Sequence, residues 1–148
     1  MNDKNNKTTG KMVGSTFVLP VRIYYEDTDA GGVVYYANYL KFAERARTEL
    51  LRYIGFGNQQ EILEKDRFAF MVRNVEADYR APAVLDDLLT VSCETIEQTG
   101  ATVTLLQQIR RGDDLLVEIK VKAVYVSLEK RRPMRIPSEL TEKMKNFA

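Results

Sequence analysis

The chain has 148 residues, with 22 Lys plus Arg against 21 Asp plus Glu and a formal net charge of +1. That length suits one domain burying about 70% of its unfolded surface, and the near-zero charge gives no global pull toward nucleic acid or an anionic membrane. The absence of histidine removes Ser-His-Asp and Cys-His catalysis, histidine zinc sites and histidine acid/base chemistry, so any catalysis falls to carboxylates, tyrosines, backbone amides or a bound cofactor.

The first fourteen residues, MNDKNNKTTGKMVG, are polar and contain no apolar run of the kind a secretory signal needs. A disordered tail over residues 1–16 and a single domain over 17–148 are expected. Phe17 to Tyr25 (FVLPVRIYY) is branched and aromatic and predicts a strand, with Pro20 near its start. The segment EDTDAGG then breaks it. From Asn38, a good N-cap type, Tyr39, Phe42, Ala43, Ala46, Leu50, Tyr53 and Ile54 recur at helical spacing. They predict one amphipathic helix ended by Gly55, with Arg45 and Glu49 as an i,i+4 pair on its polar face. A shorter helix is expected around Asn58 to Lys65.

Strands follow at Phe68–Tyr79, Leu88–Glu97, Ala101–Arg110 and Leu115–Leu128. In the last of these Leu115, Val117, Ile119, Val121, Ala123 and Tyr125 alternate with Glu118, Lys120 and Lys122. Short glycine-containing connections, QTGA and RGDD, join the last three strands into an expected antiparallel meander. PSELTEKMKN predicts a terminal helix. The fold class is α+β: one antiparallel sheet with the long helix on its apolar face, and edge strands able to pair across a dimer. Cys93, the only cysteine, lies in the apolar context LLTVSCETI and is expected as a buried, reduced thiol. No apolar run approaches the roughly 18 residues of a membrane helix, so no membrane span is expected and a soluble, cytoplasmic protein is.

The densest chemistry lies in residues 24–39, YYEDTDAGGVVYYANY. Asp27, Asp29 and Gly32 fit positions of a calcium loop, but Gly31 and Asn38 fall where ligands are needed, so no metal is expected. Neither a phosphate-binding GxxxxGK[ST] loop nor GxGxxG occurs. Gly31 and Gly32 fit either a tight turn or close approach of backbone to a ligand. A helix beginning near Asn38 points free N–H groups and its positive end toward residues 34–37, a natural oxyanion site. A carboxylate one loop away can serve as base or nucleophile on the carbonyl held there. That is a minimal machine for acyl transfer to water without histidine.

The stretch VRIYYEDTDAGGVVYYANYLKFAERARTELL, 21–51, strongly resembles the YbgC-like acyl-CoA thioesterases of the 4-hydroxybenzoyl-CoA thioesterase group, with the motif YxDTDxxGxVxYxxY. The similarity continues more weakly through RNVEADYRAPAVLDDLLTV to the final strand. The resemblance implies the hotdog fold, in which an antiparallel β-sheet wraps a long central α-helix, with dimers that often pair into tetramers. It implies an acyl-CoA substrate, with acyl carrier protein as another candidate carrier, and no cofactor. It also implies that Asp29 is the catalytic carboxylate, that Tyr25 lies beside the site and that the backbone N–H of Tyr36 polarises the thioester carbonyl. Many members carry histidine at the position of Tyr36. Gly31, Gly32 and Val33 are then expected against the substrate. The basic run EKRRPMR, with Lys130, Arg131, Arg132 and Arg135, offers cations to the CoA phosphates or forms a solvated turn. Hotdog dehydratases use a histidine that this chain lacks; a non-catalytic acyl-CoA or acyl-carrier-protein binding module is the alternative function.

Overall fold

A computed structural model describes residues 9–55, 60 and 62–145. In chain order the elements are β1 (Lys11–Val13), β2 (Thr16–Arg22), a 3-10 turn (Tyr25–Asp27), α1 (Asn38–Tyr53), a π turn (Ile62–Asp66), β3 (Phe68–Tyr79), β4 (Leu88–Gln98), β5 (Thr102–Arg111), β6 (Asp114–Ser127), β7 (Arg132–Pro133) and α2 (Ser138–Lys145). The strands form one antiparallel sheet in the order β1-β2-β4-β5-β6-β3, with β7 added to β6. This is the expected α+β hotdog arrangement, with α1 packed on β2 and β4.

Four of the strands begin and end within a residue of the ranges expected from the sequence. Differences arise where local contacts decide. Lys11–Val13, expected in the tail, pairs with Thr16–Val18 as β1, whereas residues 1–8 lie outside the described residues. The strand expected to reach Tyr25 stops at Arg22, because the Asp27 carboxylate accepts the Tyr24 N–H at 2.8 Å and winds the chain into a 3-10 turn. Of the helix expected around Asn58 to Lys65, Gln60 is helical and Ile62–Asp66 forms a π turn; residues 56–59 and 61 lie outside the described residues.

Helix α1 buries Tyr39, Phe42, Ala43, Ala46 and Leu50 in one core with Leu89, Val91, Cys93, Ile109 and Ile119. Asn38 is not its N-cap: Ala37 holds that place, and the Asn38 Nδ2 donates across the loop to the Asp27 carbonyl at 2.9 Å. At the other end Gly55 follows the C-cap with φ 83°, a left-handed conformation that glycine adopts without steric cost. The expected Arg45–Glu49 pair does not form. Glu49 pairs with Arg52, and the Arg45 guanidinium lies over the Phe42 ring at 5.6 Å.

Strand β3 is an edge of the sheet, and its pairing with β6 slips between Val72 and Asn74. The extra residue there restores parity. Phe68, Phe70 and Val72 before the bulge, and Val75, Ala77 and Tyr79 after it, all stand opposite the inward-facing residues of β6. Yet Val72, Val75 and Tyr79 are 51%, 40% and 42% exposed, since α1 covers β2 and β4 rather than β3.

Cys93 is fully buried, and burial pushes its thiol up to about 12 against the opposing influence of Arg47 and a hydrogen bond from Gln107. The folded protein is therefore expected to react with a thiol-specific disulfide reagent only as fast as it unfolds, and urea to restore ordinary thiol reactivity.

Candidate active site

The DTD segment is folded back on the strand-like stretch that leads into α1. Asp29 N–H donates to the Val33 carbonyl at 2.8 Å, Gly32 N–H to the Asp29 carbonyl at 3.1 Å and Tyr35 N–H to the Asp27 carbonyl at 3.0 Å. Gly32 sits at φ 83°, which closes this turn, and a Cβ on Gly31 would stand 3.2 Å from Asp29 Oδ1. Turn geometry is thus enough to account for both glycines.

The two candidate acids flanking Thr28 are used differently. Asp27 Oδ2 is committed to the Tyr24 N–H. Asp29 Oδ1 accepts the Gly31 N–H at 2.8 Å, while Oδ2 has no donor among the described residues. Asp29 is exposed, as are Gly31, Gly32, Tyr25 and Tyr36, whereas Val33 is half-buried. Tyr36 immediately precedes the first turn of α1, and among the described residues its backbone N–H donates to no acceptor. A carboxylate with one free oxygen and an unpaired amide at a helix start therefore lie on adjoining limbs of one turn.

The opposite wall comes from the segment after β3. Val34 N–H donates to the Ala83 carbonyl at 2.9 Å, Val33 bridges to Val84, and the buried Tyr39 hydroxyl accepts the Ala83 N–H at 3.0 Å. Asp87 Oδ2 accepts from Val84 N–H at 2.9 Å and pairs with Arg111 at 2.7 Å. Burial pushes the Asp87 carboxyl up, but the Val84 N–H and Arg111 outweigh it and hold it below the usual carboxylate range. A carboxyl depressed by folding contributes stability above its unfolded value of about 3.9 and loses it as pH falls through the folded value. An Asp87→Asn variant should accordingly unfold at lower urea than the parent at pH 7, with the gap closing below about pH 4.

Tyr79 makes an edge contact with Tyr36, ring centroids 6.0 Å apart, and a tilted one with Tyr39 at 5.8 Å. Burial raises the Tyr79 phenol, and the neighbouring Tyr36 and Tyr39 add to that; burial also raises Tyr39. The Tyr39 and Tyr79 phenols therefore stay neutral at physiological pH and do not serve as bases. Tyr79, Ala83, Asp87 and Arg111 were not among the candidates drawn from the sequence; the run RNVEADYRAPAVLDDLLTV contains the first three, but only the fold shows that they meet the helix start. Among the other aromatics of residues 24–42, Tyr39 and Phe42 are core, while Tyr24 and Tyr35 are exposed.

Arg131 and Arg132 lie elsewhere. They belong to the β6–β7 turn beyond Ser127, which pairs with Phe68, whereas the Tyr36 end of the site adjoins Tyr79, which pairs with Val117. Those two points on β6 are about 33 Å apart at 3.3 Å per residue. Within one chain the fold does not bring these arginines to Asp29. Among the described residues no group of three or more Asp, Glu or Cys is placed to hold a metal ion, and no helix is long and apolar enough to cross a membrane.

A family model for the thioesterase-like superfamily matches residues 24–144, from the first residues of the site loop into α2. The chain belongs to that superfamily. It is 48% identical over 129 residues to the acyl-CoA thioesterase YbgC of Haemophilus influenzae, covering 87% of this chain and 94% of that one. It is 44% identical over 130 residues to the acyl-CoA thioester hydrolase YbgC of Escherichia coli O6:H1, covering 87% and 96%. Among solved structures, a probable thioesterase from Bartonella henselae superposes with TM-score 0.76 at 37% identity, covering 81% of this chain and 98% of that one. A 1,4-dihydroxy-2-naphthoyl-CoA thioesterase from Synechocystis shares the fold with TM-score 0.81 at 23% identity, covering 88% and 96%.

Proposed function

We propose that the protein is an acyl-CoA thioesterase that hydrolyses the thioester to a free carboxylic acid and CoA. What supports this reading is that Asp29, with one carboxylate oxygen free, and the unpaired Tyr36 N–H lie on adjoining limbs of one turn, in a chain closely related to YbgC thioesterases. The thioester carbonyl accepts the Tyr36 N–H, whose position at the positive end of α1 favours the developing oxyanion. Asp29 either takes a proton from the attacking water through its free Oδ2 or attacks the carbonyl itself. Gly31, Gly32 and Val33 form the surface over which the thioester lies. Tyr25, next to the DTD segment, covers its outer side.

Tyr36 occupies the position of the histidine common among relatives. Because its proposed contribution is a backbone N–H, the tyrosine side chain does not remove it. The ring instead packs on Tyr79 and supplies an apolar wall for the acyl group.

The working unit in this reading is a dimer formed by antiparallel pairing of β3 with the β3 of a second copy. Such pairing lays the Phe68 end of one strand against the Tyr79 end of the other. It carries the partner's β6–β7 turn, with its copies of Arg131 and Arg132, toward this chain's Asp29. The arginines that one chain holds far from its own site then serve the other chain's site as cations for the CoA phosphates. Further pairing into tetramers, an acyl-carrier-protein thioester as the substrate and a cytoplasmic location also belong to this reading.

Thiol release from a panel of acyl-CoAs of graded chain length and aromaticity tests the assignment. Turnover of at least one thioester is expected. Tight binding of acyl-CoA with no thiol release from any of them would instead support a non-catalytic binding module.

A further inference from the structure

A second polar feature lies along α1, well away from Asp29. Arg47 is eleven positions beyond Tyr36, or about 16 Å along a helix axis. It lines a cavity of about 340 Å³ between α1, the start of β3 and strands β5 and β6, walled by Leu50, Leu51, Phe68, Phe70, Val103 and Leu105. An unbroken apolar strip, Tyr79, Val75 and Val72 on the half-exposed inner side of β3, leads from the Tyr36 end of the helix to this cavity.

Arg47 is held in position from behind. Its Nη1 donates to Gln107 Oε1 at 2.9 Å, and Gln107, fully buried, donates from Nε2 to the Ala43 carbonyl at 2.9 Å and to Cys93 Sγ at 3.0 Å. Among the described residues Arg47 makes no other hydrogen bond and no ion pair within 4.0 Å. Glu44, which lines the outer part of the same cavity and favours the Arg47 cation, is engaged by Thr48, whose Oγ1 donates to it at 2.6 Å. Burial lowers the Arg47 guanidinium from its ordinary value, as expected of a cation short of counter-charge.

A cation among apolar walls costs desolvation energy that only a well-placed acceptor offsets. The guanidinium fork matches a carboxylate in shape, and Gln107 uses only one of its N–H groups. The cavity walls on either side suit methylenes. We propose that this cavity binds a carboxylate carried on an apolar chain, with Arg47 as its counter-ion and Gln107 as the residue that positions Arg47. The carboxylate has two sources: the far end of the acyl group under hydrolysis, as in the thioester of a dicarboxylic acid, or a free carboxylic acid entering alone. The first source rests on the proposed thioesterase activity; the second does not.

Calorimetric titration with decanoate and with decan-1-ol decides the chemistry in the wild type, in Arg47→Met and in Ala123→Leu, which narrows the cavity while keeping Arg47 and Gln107. Decanoate is expected to bind the wild type at least tenfold more tightly than the alcohol. That preference should vanish in Arg47→Met, and Ala123→Leu should weaken both ligands. Equal affinity for acid and alcohol, a preference that survives in Arg47→Met, or decanoate binding untouched by Ala123→Leu would each overturn the proposal. Comparing kcat/KM for decanoyl-CoA and for the mono-CoA thioester of decanedioic acid separates the sources. An Arg47-dependent preference for the second assigns the carboxylate to substrate, and equal values beside intact decanoate binding assign it to the free acid. No turnover of either thioester excludes the first source, and the titration still decides the cavity's ligand, while the thioesterase reading is decided by the full acyl-CoA panel.

Discussion

Replacing Asp29 by asparagine is expected to lower kcat for acyl-CoA hydrolysis by about 10²- to 10⁴-fold, the usual cost of losing a positioned acid/base group. The substitution keeps the size of the side chain, and its carbonyl oxygen still accepts the Gly31 N–H that Asp29 Oδ1 now accepts at 2.8 Å. The turn therefore survives, and what disappears is the negative charge and the proton affinity of the free oxygen. Asp29 is exposed, so the change should move the thermal midpoint little. Asp27→Asn is the matched control: it alters the cap on the Tyr24 N–H and leaves the proposed catalyst untouched, so its loss of rate should be far smaller. Thiol release at saturating substrate, read beside circular dichroism, measures both. Undiminished turnover in Asp29→Asn would remove Asp29 from the chemistry. Because Cys93 is buried and its thiol raised to about 12, the enzyme itself adds little background to such a thiol assay.

Where sequence and structure agree, a local period is responsible. The inward residues of β6 and the buried arc of α1 repeat at two and at about 3.6 residues, and burial follows those repeats through Val121, Ala123 and Tyr125 and through Phe42, Ala46 and Leu50. The Asp29 turn is legible for a related reason, since acids, glycines and the helix start lie within a dozen residues. What stayed hidden depends on contacts distant in sequence. Asn38 is a good N-cap by type, yet its amide is drawn to the Asp27 carbonyl, eleven residues earlier. Tyr79 meets Tyr36 because β3 runs back beside the helix, a consequence of strand order that no local pattern encodes. The strip from Phe68 to Tyr79 does not alternate cleanly as a sequence, and only the bulge after Val72 puts its apolar members on one side. Nothing local in the sequence singles out Arg47; its link to Gln107 spans 60 residues.

The second large effect concerns the β3 edge and the dimer proposed from it. Two copies of a strand that pair antiparallel about a two-fold axis place the middle of the strand opposite itself. For Phe68–Tyr79 the middle falls between Arg73 and Asn74, so Val75, 40% exposed on an otherwise unpaired edge, lies close to the axis and opposite the copy of Val72. A Val75→Glu substitution then sets a carboxylate from each copy against an apolar residue of the facing strand, with its symmetry mate nearby across the axis, and at the same time breaks the apolar strip. The variant is expected to sediment mainly as a monomer at concentrations where the wild type is a dimer. Its specific activity should fall at least tenfold and recover in part as concentration rises, because each site in this reading borrows its phosphate-binding arginines from the other copy. Val75→Thr, branched and uncharged, should remain a dimer with near-normal activity, which separates repulsion from lost packing. If Val75→Glu sediments as the wild type does, the copies associate elsewhere. Arg131 and Arg132 then have no route to Asp29, and the cations for the CoA phosphates must be sought nearer the turn, where Arg22, Arg80 and Arg111 lie on or against the 80–87 segment.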